Sequence, residues 1–308
     1  DVYKRQVQYP MKMQRMLLST TFPGRVACLF GAALILAGCS TGKLVVRGSQ
    51  TIMDSGIEAM NSETDLQLAR AAMPANLKLM EGMLLEDPDN IDLLLYAAQG
   101  FYGYSYGFIE TEDTARASAL YRRCYDYARR TFSLRGFNIN AETAMADDLQ
   151  AAVAGAGKDD VPAIFWTGTC LGKWADMNRD NVAGVAGLGN VAILMQRVIE
   201  LDESYYYGAA HLFFGVYYGG LSPMFGGDFA LAEQHFQRAA EINENKLLLV
   251  DLLHAEYLDR QQLNQTGFHQ RLTGILAAPD DLYPQMALVN AISKHKAALL
   301  LEHEGDWF

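Results

Sequence analysis

From about residue 61 onward apolar residues return every three or four positions, and that spacing is the tightest constraint the chain places on its own fold. It gathers apolar side chains into one stripe on a helix but scatters them over both faces of a strand. Ala, Leu, Met, Gln and Glu fill the same stretch and Pro is scarce, which favours helices further. The expected fold class is all-α. With 308 residues, 50% of them hydrophobic, the chain can bury a large core. Its formal charge of −11 argues against a nucleic-acid partner, because such proteins present clustered Lys and Arg to phosphates.

Within the helical region a repeat emerges. Gly103-x-x-Tyr106 is followed by Ala117-x-x-x-Tyr121, and Gly215-x-x-Tyr218 by Ala232-x-x-x-Phe236-x-x-Ala239. This is the tetratricopeptide (TPR) skeleton, in which a small residue lets a second helix approach and an aromatic fills the gap between the pair. Two looser pairs run around Leu171-Gly172 with Val191, Met195 and Val198, and from Lys246–Arg260 into Gly267–Leu276. A helix over roughly Tyr283–Leu301 is expected to cap the stack at its C-terminal end. Breaks are expected at Glu86–Asn90, where Pro88 and Asn90 end one helix and cap the next, and at Leu201–Ser204 and Ile242–Asn245. The glycine-rich Gly219–Gly227 reads as an insertion between helices. It lacks the Gly-Lys-Ser/Thr ending of a phosphate loop.

Residues 1–38 read as a signal peptide. The chain opens on Asp1, so a start at Met11, Met13 or Met16 is expected and residues 1–10 carry no argument. Lys12, Arg15 and Arg25 precede the apolar run Val26–Ala37, which suits a signal h-region and is shorter than the roughly 20 residues of a membrane span. Leu36-Ala-Gly-Cys39 closes it and resembles the bacterial lipobox, with Cys39 the lipidated residue. Durable anchoring takes two or more acyl chains. Ser40, where Asp is absent, resembles the outer-membrane sorting preference, so a periplasmic protein held by lipid to the outer membrane is expected. Residues 39–60 then form a tether with a first short helix, and 61–308 the helical domain. Without residues 1–38 the charge is −15.

Several motifs invite a chemical reading. Gly103-Tyr-Ser105-Tyr-Gly107 matches the GxSxG nucleophile elbow, which would make Ser105 an attacking group. That elbow needs a buried strand before it, whereas Asp92–Gln99 is helical in composition, so the glycines are better used for close helix packing and no enzyme activity is expected. Tyr102, Tyr104, Tyr106 and Phe108 also alternate as a strand would, but a lone strand in helical sequence leaves its backbone unpaired. Phe165-Trp166, Trp174, Met177 and Asn178 share one element, and Tyr205–Tyr207, His211, Tyr217 and Tyr218 another. Aromatic stripes of this kind are mostly core, although Tyr and Trp also suit a groove for an amphiphilic ligand or a peptide. The six histidines show no HxxxH or HExxH and the four cysteines no metal-binding spacing, so neither metal nor cofactor is expected. Cys124 and Cys170 could pair or stay free; the sequence leaves both open.

Taken in order, Leu36–Cys39, Ala75–Gly82, Asp87–Asn90, Gln99–Glu110, Leu120–Arg123, Asp160–Trp166, Tyr205–His211, Gly226–Asp228 with Ala232 and Phe236, and Asn290–Lys294 resemble the T component of TRAP transporters, the TatT family. The resemblance covers roughly residues 39–300. It implies a periplasmic lipoprotein of cryptic TPR pairs that associates with a TRAP-type substrate-binding protein, performs no catalysis, and carries a groove or pore for an organic-acid or lipid-like ligand. Homo-oligomers are compatible with it. Candidate groove residues are Tyr102, Tyr104, Tyr106, Trp166, Trp174, Asn178, Tyr206 and His211, with Lys294 assigned as the cation for a carboxylate. The competing reading is a TPR-like envelope scaffold that binds only proteins.

Overall fold

A computed structural model describes residues 41–178 and 182–308, with the backbone alone for 182–186. The signal peptide and Cys39 lie outside the described residues. Every regular element among the described residues is helical. In chain order they are α1 (Thr41–Gly48), α2 (Gln50–Asn61), α3 (Leu66–Glu86), α4 (Ile91–Tyr104), α5 (Thr114–Leu134), α6 (Ala146–Ala154), α7 (Val161–Asp176), α8 (Val182–Asp202), α9 (Tyr205–Gly219), α10 (Phe229–Ile242), α11 (Leu249–Leu253), α12 (Gln265–Ala277) and α13 (Ala287–Glu302). Two π-helical turns continue α4 and α11, Ser105–Ile109 and His254–Asp259. The chain divides into two units at Val45/Val46, and the second, Val46–Phe308, holds every helix from α2 onward.

The boundaries follow from capping chemistry. Asp65, Asn90, Asp113, Asp228 and Asn264 each accept a hydrogen bond from a backbone N–H in the first turn of the helix they precede. The breaks expected at Glu86–Asn90 and Leu201–Ser204 coincide with the ends of α3 and α8. The insertion at Gly219–Gly227 holds a short 3-10 turn, Pro223–Phe225, closed by Gly226 at φ 94°. In the segment expected as a tether followed by a first short helix, Gln50–Asn61 is helical, with Met53, Ile57 and Met60 at helical spacing. The C-terminal helix does more than cap: Ile292 packs against Gly107 in the first π-turn.

Consecutive helices pack on one another, α4 on α5, α7 on α8 and α9 on α10. In the last pair a Cβ on Gly215 would meet three atoms of the Phe236 ring at 2.8 Å, so the helices approach as closely as glycine allows. In α4, Gly100 faces Leu77 and Gly103 faces Met73, so these glycines serve packing against α3. One large apolar cluster runs from Ala69 through Phe101, Tyr121, Phe132 and Trp166 to Val198 and Ile292, and three smaller ones gather around Phe236, Phe268 and Leu94.

Cys124 and Cys170, which the sequence left open, form a disulfide between α5 and α7 with Cα atoms 5.5 Å apart. Closing a loop of 46 residues removes about 4 kcal/mol of chain entropy from the unfolded state.

Two measurements test this packing. Urea unfolding with reductant is expected to lower stability by up to about 4 kcal/mol, and the Cys124→Ala/Cys170→Ala variant should match the reduced protein and ignore reductant. Gly215→Ala should cost about 1–3 kcal/mol by overpacking against Phe236. Gly82→Ala, whose Cβ meets nothing within 4 Å, should instead stabilise α3 by up to about 1 kcal/mol.

Candidate functional site

A cavity of about 580 Å³ opens among α2, α3, α4, α7, α8, α9, α11, α13 and both π-turns. That volume is within the usual range for small-molecule sites. Its walls are mostly apolar, including Met53, Met60, Met73, Leu77, Phe165, Met195, Phe213 and Ile292. Through them runs a chain of aromatic rings. Tyr106 stacks on Tyr102 at 6.3 Å, Tyr102 meets Trp166 edge-on at 5.9 Å, and Trp166 meets Tyr206 edge-on at 5.0 Å.

Local backbone geometry aims several of these side chains. A π-turn inserts one residue into a helix and rotates the residues after it. The first places Tyr106 and Glu110 on the cavity wall and turns Gly107 to Ile292; the second places Glu256 and Tyr257 there. At the start of α9, Tyr206, Tyr207 and Gly208 are left-handed, with φ of 47°, 63° and 80°. For the two tyrosines this costs about 1–2 kcal/mol each, and strain of that kind collects at functional sites. The Tyr206 ring is thereby set against Phe165 and Trp166.

Amid these apolar walls sits a polar cluster. Lys173 donates to Glu110 Oε1 at 2.6 Å, and the Tyr121 hydroxyl donates to Glu110 Oε2 at 2.6 Å. Burial pushes the Glu110 carboxyl up, but Lys173, then Lys296, and the two hydrogen bonds hold it below the ordinary carboxylate range. Burial likewise pulls Lys173 down and the Glu110 charge outweighs it, so the ammonium is held above its ordinary range. Lys296 lies 4.0 Å from the centre of the Tyr106 ring and is shifted down by burial. Glu256 is shifted up, again by burial. Tyr102 is pushed up to about 12 by burial, so its phenol stays protonated.

Of the residues expected in a groove, Tyr102, Tyr106, Trp166 and Tyr206 line the cavity. The others lie elsewhere. Tyr104 is buried in the core beside Arg116, and Trp174 carries the Arg122 guanidinium 5.0 Å over its ring. Asn178 donates to Ser118 Oγ at 2.8 Å and to the Trp174 carbonyl at 2.6 Å. His211 places Nδ1 2.9 Å from His235 Nδ1 and Nε2 3.3 Å from Glu203. Burial, then the neighbouring His211, pulls His235 down to about 4, so that ring is neutral at ordinary pH. Lys294 points to Asp280 and the Ala278 carbonyl, each at 2.5 Å.

The cations that do line the cavity are Lys173 and Lys296, which the sequence reading passed over. Lys173 had a signal, being the first charge in the apolar run from Val161. Lys296 stands two residues from Lys294, about 200° around a helix at 3.6 residues per turn, so one faces in where the other faces out. Ser105 is fully buried inside the helical run and donates to the Phe101 carbonyl at 2.8 Å. Among the described residues no group of three or more His, Cys, Asp or Glu could hold a metal, and no helix is long and apolar enough to cross a membrane.

The family model for the TRAP transporter T-component matches residues 62–308, a span that holds the polar cluster and the four aromatic residues. This chain belongs to the TRAP transporter T-component family. A relative by sequence, an uncharacterized protein of Treponema pallidum (strain Nichols), is 23% identical over 315 residues, covering 92% of this chain and 98% of its own. Membership makes this T component an accessory of TRAP transport.

Lys173→Met should destabilise this T component by about 3–5 kcal/mol, because it leaves the Glu110 carboxylate desolvated and unpaired. Adding Glu110→Gln should restore most of the loss in urea unfolding. A double variant no more stable than Lys173→Met would show that the pair does not act as a unit.

Proposed function

We propose that this T component is a lipid-anchored periplasmic protein that docks a TRAP-type substrate-binding protein and holds a hydrophobic or carboxylate ligand in its cavity. The observation that carries the proposal is the cavity itself: about 580 Å³ with apolar walls, its aromatic chain and buried polar cluster lying within the matched span. Apolar walls with a few convergent polar groups are the ordinary chemistry of an amphiphile site.

Three further features support the reading. The Leu36-Ala-Gly-Cys39 motif supports lipidation at Cys39. The Cys124–Cys170 disulfide suits an oxidising compartment such as the periplasm. The succession of packed helix pairs, with Gly215 against Phe236 in one of them, supports a TPR-like stack, an architecture that presents broad surfaces to protein partners.

Native mass spectrometry of the mature chain, alone and mixed with a TRAP-type substrate-binding protein of the same organism, tests docking. The expected result is a complex of defined stoichiometry. No complex with any such partner would sink the docking proposal and favour the envelope-scaffold reading. Retention of a small mass by the chain alone would support ligand holding independently of docking.

A further inference from the structure

The polar cluster is not evenly satisfied, and the imbalance has a chemical sign. Lys173 is saturated, with Glu110 at 2.6 Å and Asp176 at 4.0 Å. Lys296 is different. Among the described residues its ammonium makes no hydrogen bond and no ion pair, and its named contact is the face of the Tyr106 ring at 4.0 Å. The hydroxyl of that same ring is buried and has no hydrogen-bond partner. A cation and an O–H donor therefore stand at the face and the rim of one ring, on the wall of one cavity, both lacking an acceptor.

Leaving a buried donor or charge without a partner costs free energy that an incoming acceptor recovers. Lysine and tyrosine hydroxyl are both donors here, so the missing group is an acceptor, and an ammonium that Glu110 and Glu256 offset without direct contact favours an anionic one. Glu110, Asp176 and Glu256 line the same cavity and would repel a dianion such as a phosphate monoester. One negative charge on two oxygens fits: a monocarboxylate. The rest of the wall, with Met60, Met73, Phe165 and Phe213, offers a tail nothing polar to satisfy.

We propose that Lys296 and Tyr106 form the headgroup site for one long-chain monocarboxylate, whose apolar tail occupies the remainder of the cavity. This rests on the reading of the cavity as a ligand site and names the ligand class. Lys296 neutralises the carboxylate, Tyr106 donates to its second oxygen, and the Glu110–Lys173 pair, already closed on itself, fixes the wall behind them. A tail without the anion leaves Lys296 unpaired, so discrimination is against neutral chains of the same length.

The test is calorimetric titration of the delipidated full mature chain with dodecanoate, 1-dodecanol and butanoate. Dodecanoate is expected to bind about tenfold or more tightly than dodecanol, since a charged hydrogen-bonded contact is lost, and butanoate far more weakly than dodecanoate. Lys296→Met should bring dodecanoate to the level of dodecanol and leave dodecanol within about twofold, while Lys296→Arg keeps the preference and Tyr106→Phe weakens dodecanoate by about threefold to tenfold. If Lys296→Met does not fold, as its thermal melt would show, the wild-type preference and the Arg and Phe variants still decide. Equal binding of dodecanoate and dodecanol by the wild type, or a Lys296→Met protein that loses neither or both, overturns the headgroup site and leaves the cavity as a ligand site. Binding of none of the three probes, by protein that still docks a substrate-binding protein, overturns both the headgroup site and ligand holding while docking stands.

Discussion

The clamp between α5 and α7 is what the rest of the cavity leans on. The Cys124–Cys170 disulfide joins those helices, and Tyr121 and Lys173 lie one turn from the two cysteines, so the covalent link and the Glu110 cluster occupy the same corner. A desolvated ion pair offsets its dehydration only when its geometry is held and its spare lone pairs are satisfied. The disulfide provides the first condition. The Tyr121 hydroxyl and Lys173 provide the second, one on each carboxylate oxygen. Because Glu110 follows the first π-turn, the same corner also fixes where that turn can sit.

At three places on the cavity wall the backbone departs from regular helix. Two π-turns and one left-handed triplet, Tyr206–Gly208, all contribute side chains to its wall. An α-helix returns the same face every 3.6 residues, so an unbroken α4 would carry the stripe that buries Phe101 and Tyr104 straight on. The π-turn breaks that phase. Tyr102 and Tyr106, four residues apart, share one face, and the shifted phase after the turn brings Glu110 onto the cavity wall beside them. The second π-turn does the same for Glu256 and Tyr257, and is buttressed by His254, buried between Asp259 at 3.2 Å and Glu233 at 2.8 Å.

These departures mark what could and could not be read from the sequence. Apolar spacing and capping residues are local signals, and Asn90, Asp113 and Asp228 start helices as their chemistry dictates. Trp166 and Tyr206 were identifiable because aromatic stripes are visible in one dimension. Tyr104 sits about 200° from Tyr102 on regular α4, so its facing turns on the helix phase, while that of His211 follows a left-handed triplet that no local propensity announces: two of the three triplet residues are tyrosines, not glycines. Lys294 was chosen over Lys296 for the same reason. Two lysines two residues apart look alike until the helix phase is known, and Asp280, which draws Lys294 outward, is 14 residues away.

The least anchored wall is α2. It contributes Ile52, Met53, Gly56, Ile57 and Met60 to the cavity yet contains no buried residue, and Ile52 is 74% exposed. Met53 packs against the cluster that holds Leu93, Leu94 and Ala97 of α4, and the polar ties to α4 are that Asp54 accepts from the Tyr96 hydroxyl at 2.5 Å and Gln50 donates to that hydroxyl at 3.3 Å. A helix held by two exposed or half-exposed hydrogen bonds and a thin apolar face belongs to the low-stability end of a structure, where opening costs little. Met53 and Met60 pack on neighbouring apolar clusters while Ile52 and Ile57 line the cavity, so an occupant with the proposed tail would add contacts to α2. In sequence α2 begins 11 residues after Cys39. The part of the wall that the proposed occupant would stabilise is also the part nearest, along the chain, to the proposed lipid anchor.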